Sequence, residues 1–215
     1  FGGANANGTL FDGFVAKLDT TGGLLDTSFG DGDGSDDDGV MQINGVNSVS
    51  GINNDYVEAM TLDSEGNIII VGETLSSLGG SNVGLEDGFV AKIDSTSGAL
   101  STSFGSGDGN DNDGILQFNK FGSNQFHGLG DEYATTSVLD GAGNLFIAGS
   151  TDNSFGGLNA GSRDAFIAKF NAESGALDRE FGDGDGSDND GILQLNASNT
   201  ANASRGEYIT SLSLD

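Results

Sequence analysis

The chain repeats itself, and the repeat limits the possible folds more than any other feature. "DGFVAKLD" at 12–19 returns as "DGFVAKID" at 87–94 and "DAFIAKFN" at 164–171, so Phe14, Phe89 and Phe166 stand 75 and 77 residues apart. Further segments follow in a fixed order. "GVMQIN" (39–44), "GILQFN" (114–119) and "GILQLN" (191–196) come second, and "DYVEAMTLD" (55–63), "EYATTSVLD" (132–140) and "EYITSLSLD" (207–215) third. "GNIIIVGET" (66–74) and "GNLFIAGST" (143–151) come fourth. A period of this length marks supersecondary units that bury their apolar faces against one another. It divides the chain into repeats at 1–77, 78–154 and 155–215, the third without its fourth segment.

Each segment is short, rich in Val, Ile, Leu and Phe, and bounded by Gly, Asn or Asp, which reads as a strand. "NIIIV" is apolar without a break, as in a strand covered on both faces. "SEGN" (64–67) and "GAGN" (141–144) are tight connections. No segment holds a helical period. There is no proline, so turns fall to the 38 glycines and to Asn and Asp. The expectation is an all-β fold of β-propeller-type blades, each of four antiparallel strands. Counting blades from each "DGFVAK" gives four, four and three strands. That leaves "EYITSLSLD" without its hairpin mate, an open edge for self-association or for a further blade.

Between the first two strands of each repeat lies an acidic loop: "FGDGDGSDDDG" (29–39), "FGSGDGNDNDG" (104–114) and "FGDGDGSDNDG" (181–191). Crowded carboxylates repel, and no lysine or arginine lies among them. Alternating Asp and Gly can turn several oxygens inward over few residues, as calcium requires. The expected ligands are Asp31, Asp33, Asp36 and Asp38; Asp108, Asp111 and Asp113; and Asp183, Asp185, Asp188 and Asp190. Zinc or copper would want His or Cys, and the chain has one His and no Cys. Magnesium would keep more water, so calcium ranks first. The loops are not EF-hands: the sixth position is Asp36, Asp111 or Asp188 instead of Gly, and the twelfth is Gln42, Gln117 or Gln194 instead of Glu. Ser106 opens the second loop where Asp opens the others, which predicts the weakest site there. The plainer alternative, acidic turns that only keep the chain soluble, does not require the spacing to recur.

Seven basic residues face 33 acidic ones, a net charge of −26. That balance argues against nucleic acid and anionic membrane surfaces as partners, and no apolar stretch is long enough for membrane insertion as a helix. Lys17, Lys92 and Lys169 are expected to form structural pairs with the preceding Asp12, Asp87 and Asp164. Tyr56, Tyr133 and Tyr208 open equivalent strands and read as packing residues, or as a platform for glycans. His127, near Asp131 and Glu132, is the one candidate base for a hydrolase. No nucleophile or oxyanion pattern accompanies it, so the expectation is no enzyme. "NGT" (7–9) and "NAS" (196–198 and 202–204) match the glycosylation pattern.

The run "DGFVAKLD…LDTSFG…DYVEAMTLDSEGNIIIVGET" resembles the bacterial seven-bladed β-propeller repeat (SBBP) and the related "delta sixty" repeat. The resemblance covers nearly the whole chain. The units here are longer, through the acidic insertion and the linker "NGVNSVSGINN" (44–54). The resemblance implies a propeller and speaks little to activity. Such repeats occur in large secreted or surface proteins, so it implies an extracellular or bacterial cell-surface location and a structural or adhesive role. A carbohydrate-binding propeller and a propeller-borne hydrolase are the alternatives.

Overall fold

The computed structural model describes residues 11–30, 37–43, 54–80, 82, 85–106, 112–118, 130–157, 159, 162–182, 190–195 and 206–215. These hold ten strands: β1 (Gly13–Ala16), β2 (Val40–Ile43), β3 (Asp55–Leu62), β4 (Ile68–Thr74), β5 (Asp87–Ile93), β6 (Ile115–Gln117), β7 (Glu132–Leu139), β8 (Asn144–Thr151), β9 (Asp164–Asn171) and β10 (Ile192–Leu195). All pairing is antiparallel, and no helix occurs among the described residues. The expected all-β fold is present.

The strands form a β1-β2 pair and two four-stranded sheets, ordered β3-β4-β5-β6 and β7-β8-β9-β10. The sheets straddle the sequence repeats. Each takes its first two strands from one repeat and its last two from the next, so the grouping counted from "DGFVAK" is not the grouping of the sheets. Segment 206–215 joins no ladder among the described residues. It lies beside β7, where Thr135 Oγ1 donates to Ile209 O at 2.7 Å, and Glu207 N donates to Arg163 O at 2.9 Å. The latter bond repeats Asp55 N to Phe11 O and Glu132 N to Glu86 O, both 2.8 Å, at the start of β3 and β7. Segment 206–215 therefore sits where a further sheet would place its first strand.

The β3–β4 and β7–β8 hairpins close alike. Asp63 Oδ1 accepts from Glu65 N and Asn67 N, and Asp140 Oδ1 accepts from Ala142 N and Asn144 N. Gly66 and Gly143 take φ of 87° and 86°, a left-handed conformation that glycine adopts without penalty. Each hairpin also carries a bulge, between Val57 and Ala59 and between Ala134 and Thr136. Opposite each bulge the Tyr56 or Tyr133 carbonyl approaches Gly72 or Gly149 so closely that a side chain there would collide with it.

The cores lie between successive sheets. Val15, Met41, Ile43 and Phe29 from the β1-β2 unit pack on Ile68, Ile70, Phe89, Ala91, Ile93 and Ile115. The opposite face of that second sheet presents Ile69, Val71, Val90 and Leu116, with Phe104, to Leu145, Ile147, Phe166, Ala168, Phe170 and Ile192. A middle sheet covered on both sides explains why "NIIIV" is uniformly apolar. Phe118 stacks on Phe170 at 5.8 Å and meets Phe166 edge-on at 6.4 Å, which makes the second core the more aromatic.

Candidate metal-binding loops

Each acidic loop leaves and rejoins the fold through one narrow neck. Gly39 N donates to Phe29 O (2.8 Å), Gly114 N to Phe104 O (3.0 Å) and Gly191 N to Phe181 O (2.9 Å). The Phe29 and Phe104 side chains are fully buried, which anchors the first two necks. Gly30 (φ 122°) and Gly105 (φ 102°) run so close to the returning strand that a Cβ would lie 2.8 Å from Val40 O and 2.5 Å from Ile115 O.

Of the expected ligands, Asp38, Asp113 and Asp190 are described. Each uses Oδ1 to accept the backbone N–H two residues on, from Val40, Ile115 and Ile192, at 2.9 Å in all three. These aspartates close the neck, a role the repeat spacing did not reveal. Asp37 and Asn112 take φ of 59° and 67°, in the left-handed region that Asp and Asn tolerate. Asp31, Asp33, Asp36, Asp108, Asp111, Asp183, Asp185 and Asp188 lie outside the described residues, as do His127 and the three glycosylation patterns. Among the described residues no group of three or more His, Cys, Asp or Glu is placed to hold a metal ion.

The necks also dock on the next sheet. Gly30 N donates to Ser97 O at 2.8 Å, and Gly105 N and Ser106 N donate to Ser174 O at 3.2 and 3.1 Å. The receiving turns are built by Asp94 and Asn171, whose Oδ1 atoms collect N–H groups from Thr96 and Ser97 and from Glu173 and Ser174. Asp19 builds the same turn ahead of the first neck, accepting from Thr21 N at 2.8 Å.

The lysines do not pair with the aspartates that open their strands. Lys17 pairs with Asp26 (3.1 Å), Lys169 with Asp178 (2.7 Å), and Lys92 with Asp63 (3.2 Å) and Glu173 (2.7 Å). Five residues along a strand span roughly 16 Å and reverse the face, so the expected pairing was out of reach. Lys17 and Lys92 also donate to the docked turn, to Ser95 O (3.0 Å) and Ala172 O (3.3 Å).

The strand-opening aspartates bind glutamines instead. Gln42, Gln117 and Gln194 donate Nε2 to Asp12, Asp87 and Asp164 at 2.6, 2.8 and 2.9 Å. Gln117 Oε1 accepts three backbone N–H groups, from Leu78, Gly79 and Gly80, and Gln194 Oε1 accepts those of Phe155, Gly156 and Gly157. One buried amide thus fixes a glycine turn to the sheet. The visible signal was a Gln repeated in phase with a Gly-Gly pair.

Two further acids sit at this end of the sheets. The Asp55 carboxylate accepts from Thr74 Oγ1, and Glu132 Oε1 accepts from Thr151 Oγ1 at 3.0 Å. Burial pushes Asp55 up to about 7, with the Asp12 charge adding, and pushes Glu132 up to about 9, with Asp87 and Asp152 adding. Glu132 is therefore neutral at pH 7. The Arg163 guanidinium lies 4.0 Å from the Tyr133 ring centroid and 5.7 Å from that of Tyr208, which is exposed, and Phe11 lies 6.3 Å from Tyr56. No family model matches the sequence, and no curated protein matches it either.

Proposed function

We propose that this chain is a calcium-stabilised repeat protein of propeller type, related to the SBBP class, with a structural or adhesive role outside the cell or at a bacterial surface and no catalytic activity. The observation that carries the metal reading is the threefold neck. Three acidic loops are each pinned shut between a phenylalanine carbonyl and a glycine N–H. Closure concentrates negative charge that a solvated, open loop would spread out. The donors are carboxylate and backbone oxygens, which suit a hard cation. The ions would be held by Asp31, Asp33, Asp36 and Asp38, by Asp108, Asp111 and Asp113, and by Asp183, Asp185, Asp188 and Asp190. Because the necks dock on the following sheet, an ion in the loop would also brace one sheet against the next.

Thermal unfolding in calcium, in magnesium and in chelator tests this. A ligand that binds only the native state stabilises it by about 2.7 kcal/mol per site at a hundredfold excess over Kd. The melting temperature should rise most with calcium. Equal melting temperatures in calcium and chelator would remove the metal from the reading. The adhesive role and the surface location rest on the resemblance, and the non-enzymatic reading on the lack of a catalytic pattern in the sequence. Turnover of a glycosidic, ester or peptide substrate that is lost in His127→Ala would overturn the latter.

A further inference from the structure

A cleft opens at the junction between the two four-stranded sheets. Its volume is about 420 Å³, and it lies between the β3–β4 turn, the end of β5, the 100–103 turn and Glu173 of the following sheet. That volume falls in the range of small-ligand sites, about 300–1,000 Å³. The repeat explains why the space is there. Lys17 and Lys169 are each held by an aspartate of the next turn, Asp26 at 3.1 Å and Asp178 at 2.7 Å. The second repeat has Ser101 at that place. Serine is shorter and carries no charge. Lys92 turns instead to Asp63 and Glu173, and the room beside Ser101 stays open.

A continuous hydrogen-bonded chain runs along its walls. Asn67 Nδ2 donates to Asp63 Oδ2 at 3.0 Å, and Lys92 Nζ meets the same oxygen at 3.2 Å. Lys92 then meets Glu173 Oε2 at 2.7 Å, Ser103 Oγ donates to Glu173 Oε1 at 3.4 Å, and Ser101 Oγ lies 3.1 Å from Ser103 Oγ. Lys92 also donates to Ala172 O at 3.3 Å. An ammonium has three protons, so these partners use all of them. The cleft therefore offers an anion no free cation, and the carboxylates of Glu65, Asp94 and Glu173 repel it. Leu100 is the one apolar side chain among the described walls, so an apolar ligand would find little to bury against. A ligand rich in hydroxyls fits better. The serine and threonine hydroxyls both donate and accept, and the carboxylates accept.

We propose that this cleft binds a neutral sugar residue of a glycan. The sugar hydroxyls donate to the wall carboxylates and accept from Ser101, Thr102 and Ser103. Ser103 and Glu173 are already held in place by the chain of hydrogen bonds, so little ordering is left to be done on binding. The site is separate from the acidic loops and from the tyrosines that the sequence offered as a glycan platform. It gives the adhesive role proposed above a ligand class, and it stands whether or not the loops hold calcium.

Saturation-transfer NMR on the 215-residue chain provides the test, and its outcome is read separately from that of the calcium melting experiment. The probes are the methyl glycosides of glucose, galactose and mannose, with putrescine as the cationic control. At least one glycoside should bind in the millimolar range. Ser101→Asp supplies the carboxylate found at 26 and 178, draws Lys92 back to it and fills the cleft. Binding should be lost while thermal unfolding stays cooperative. Ser103→Ala removes one hydroxyl without filling the space and should weaken binding by about tenfold. Binding of putrescine alone would make the cleft a cation site and overturn the proposal. Glycoside binding that neither variant weakens would overturn it too, as would no glycoside binding at millimolar concentration.

Discussion

The two interior junctions share a blueprint and differ in how the lysine is used. At the first, Lys17 keeps an ion pair within its own repeat, with Asp26, and both side chains are about one-third exposed. At the second, position 101 is serine where the others have Asp26 and Asp178. Lys92 has no carboxylate there, and it turns inward to Asp63 and outward to Glu173 of the next sheet. Its side chain is 3% exposed. Burial opposes its charge, but the Glu173 and Asp63 hydrogen bonds outweigh that and hold its pKa above the ordinary lysine value. One substitution thus accompanies the change from a part-exposed lysine that crosses its junction only to the Ser95 carbonyl to a buried one that crosses to both the Ala172 carbonyl and the Glu173 carboxylate. The aromatic cluster of Phe118, Phe155, Phe166 and Phe170 adds to the same junction, whereas the first relies on Val15, Met41 and Ile43. The second junction should be the firmer one.

Side-chain truncation should separate them most clearly. Phe118→Ala should cost about 4 kcal/mol, while Ile43→Val at the equivalent position should cost about 1 kcal/mol, both read from denaturant unfolding. Equal losses would mean that the junctions unfold as one unit with the same packing. Lysine removal comes next. Lys92→Met should cost about 2 kcal/mol, because it takes the cation from Asp63, whose side chain is 8% exposed, and leaves that carboxylate with amide donors alone, and Lys17→Met should cost less than about 1 kcal/mol. A larger effect at Lys17 would reverse the ranking.

The smallest difference lies in pH. Asp55 belongs to the first junction and Glu132 to the second, and both are raised by burial. The native state therefore holds protons that the unfolded chain gives up near the usual carboxylate values. Their stabilising contribution is complete below those values and is lost as pH rises, through about 7 for Asp55 and about 9 for Glu132. Melting temperature should fall from mildly acidic to alkaline pH. Asp55→Asn should remove its share of the fall up to about 7, and Glu132→Gln its share there together with the fall between about 7 and about 9. A single fall that only one variant flattens would tie the whole response to one junction.

Much of this fold could be read from the chain. The ten described strands fall within the four recurring segments, because β-branched and aromatic runs between Gly, Asn and Asp are a local signal. The sheet phase could not be read the same way, because which four consecutive strands join is set by packing between distant residues. The lysine pairing was not legible, because residues close in sequence along one strand lie on opposite faces and far apart in space. In the sequence, Gln117 and Gln194 stand out only as departures from a calcium-loop pattern. Their actual work, collecting three N–H groups from a turn 37 to 39 residues away, depends on the folded sheet. The acidic loops were legible as repeats, and the structure adds the necks that close them.

The offset between repeat and sheet has an evolutionary consequence. Every four-stranded sheet joins the end of one repeat to the beginning of the next. A duplication or deletion of one whole period, wherever its breakpoints fall, brings together two half-sheets that already match in register. Copy number can then drift without creating an orphan strand at the join. Lineages descending from such an array would vary in length in steps of one period, and a difference such as Ser101 against Asp26 and Asp178 could stay confined to one copy while its siblings keep their own contact.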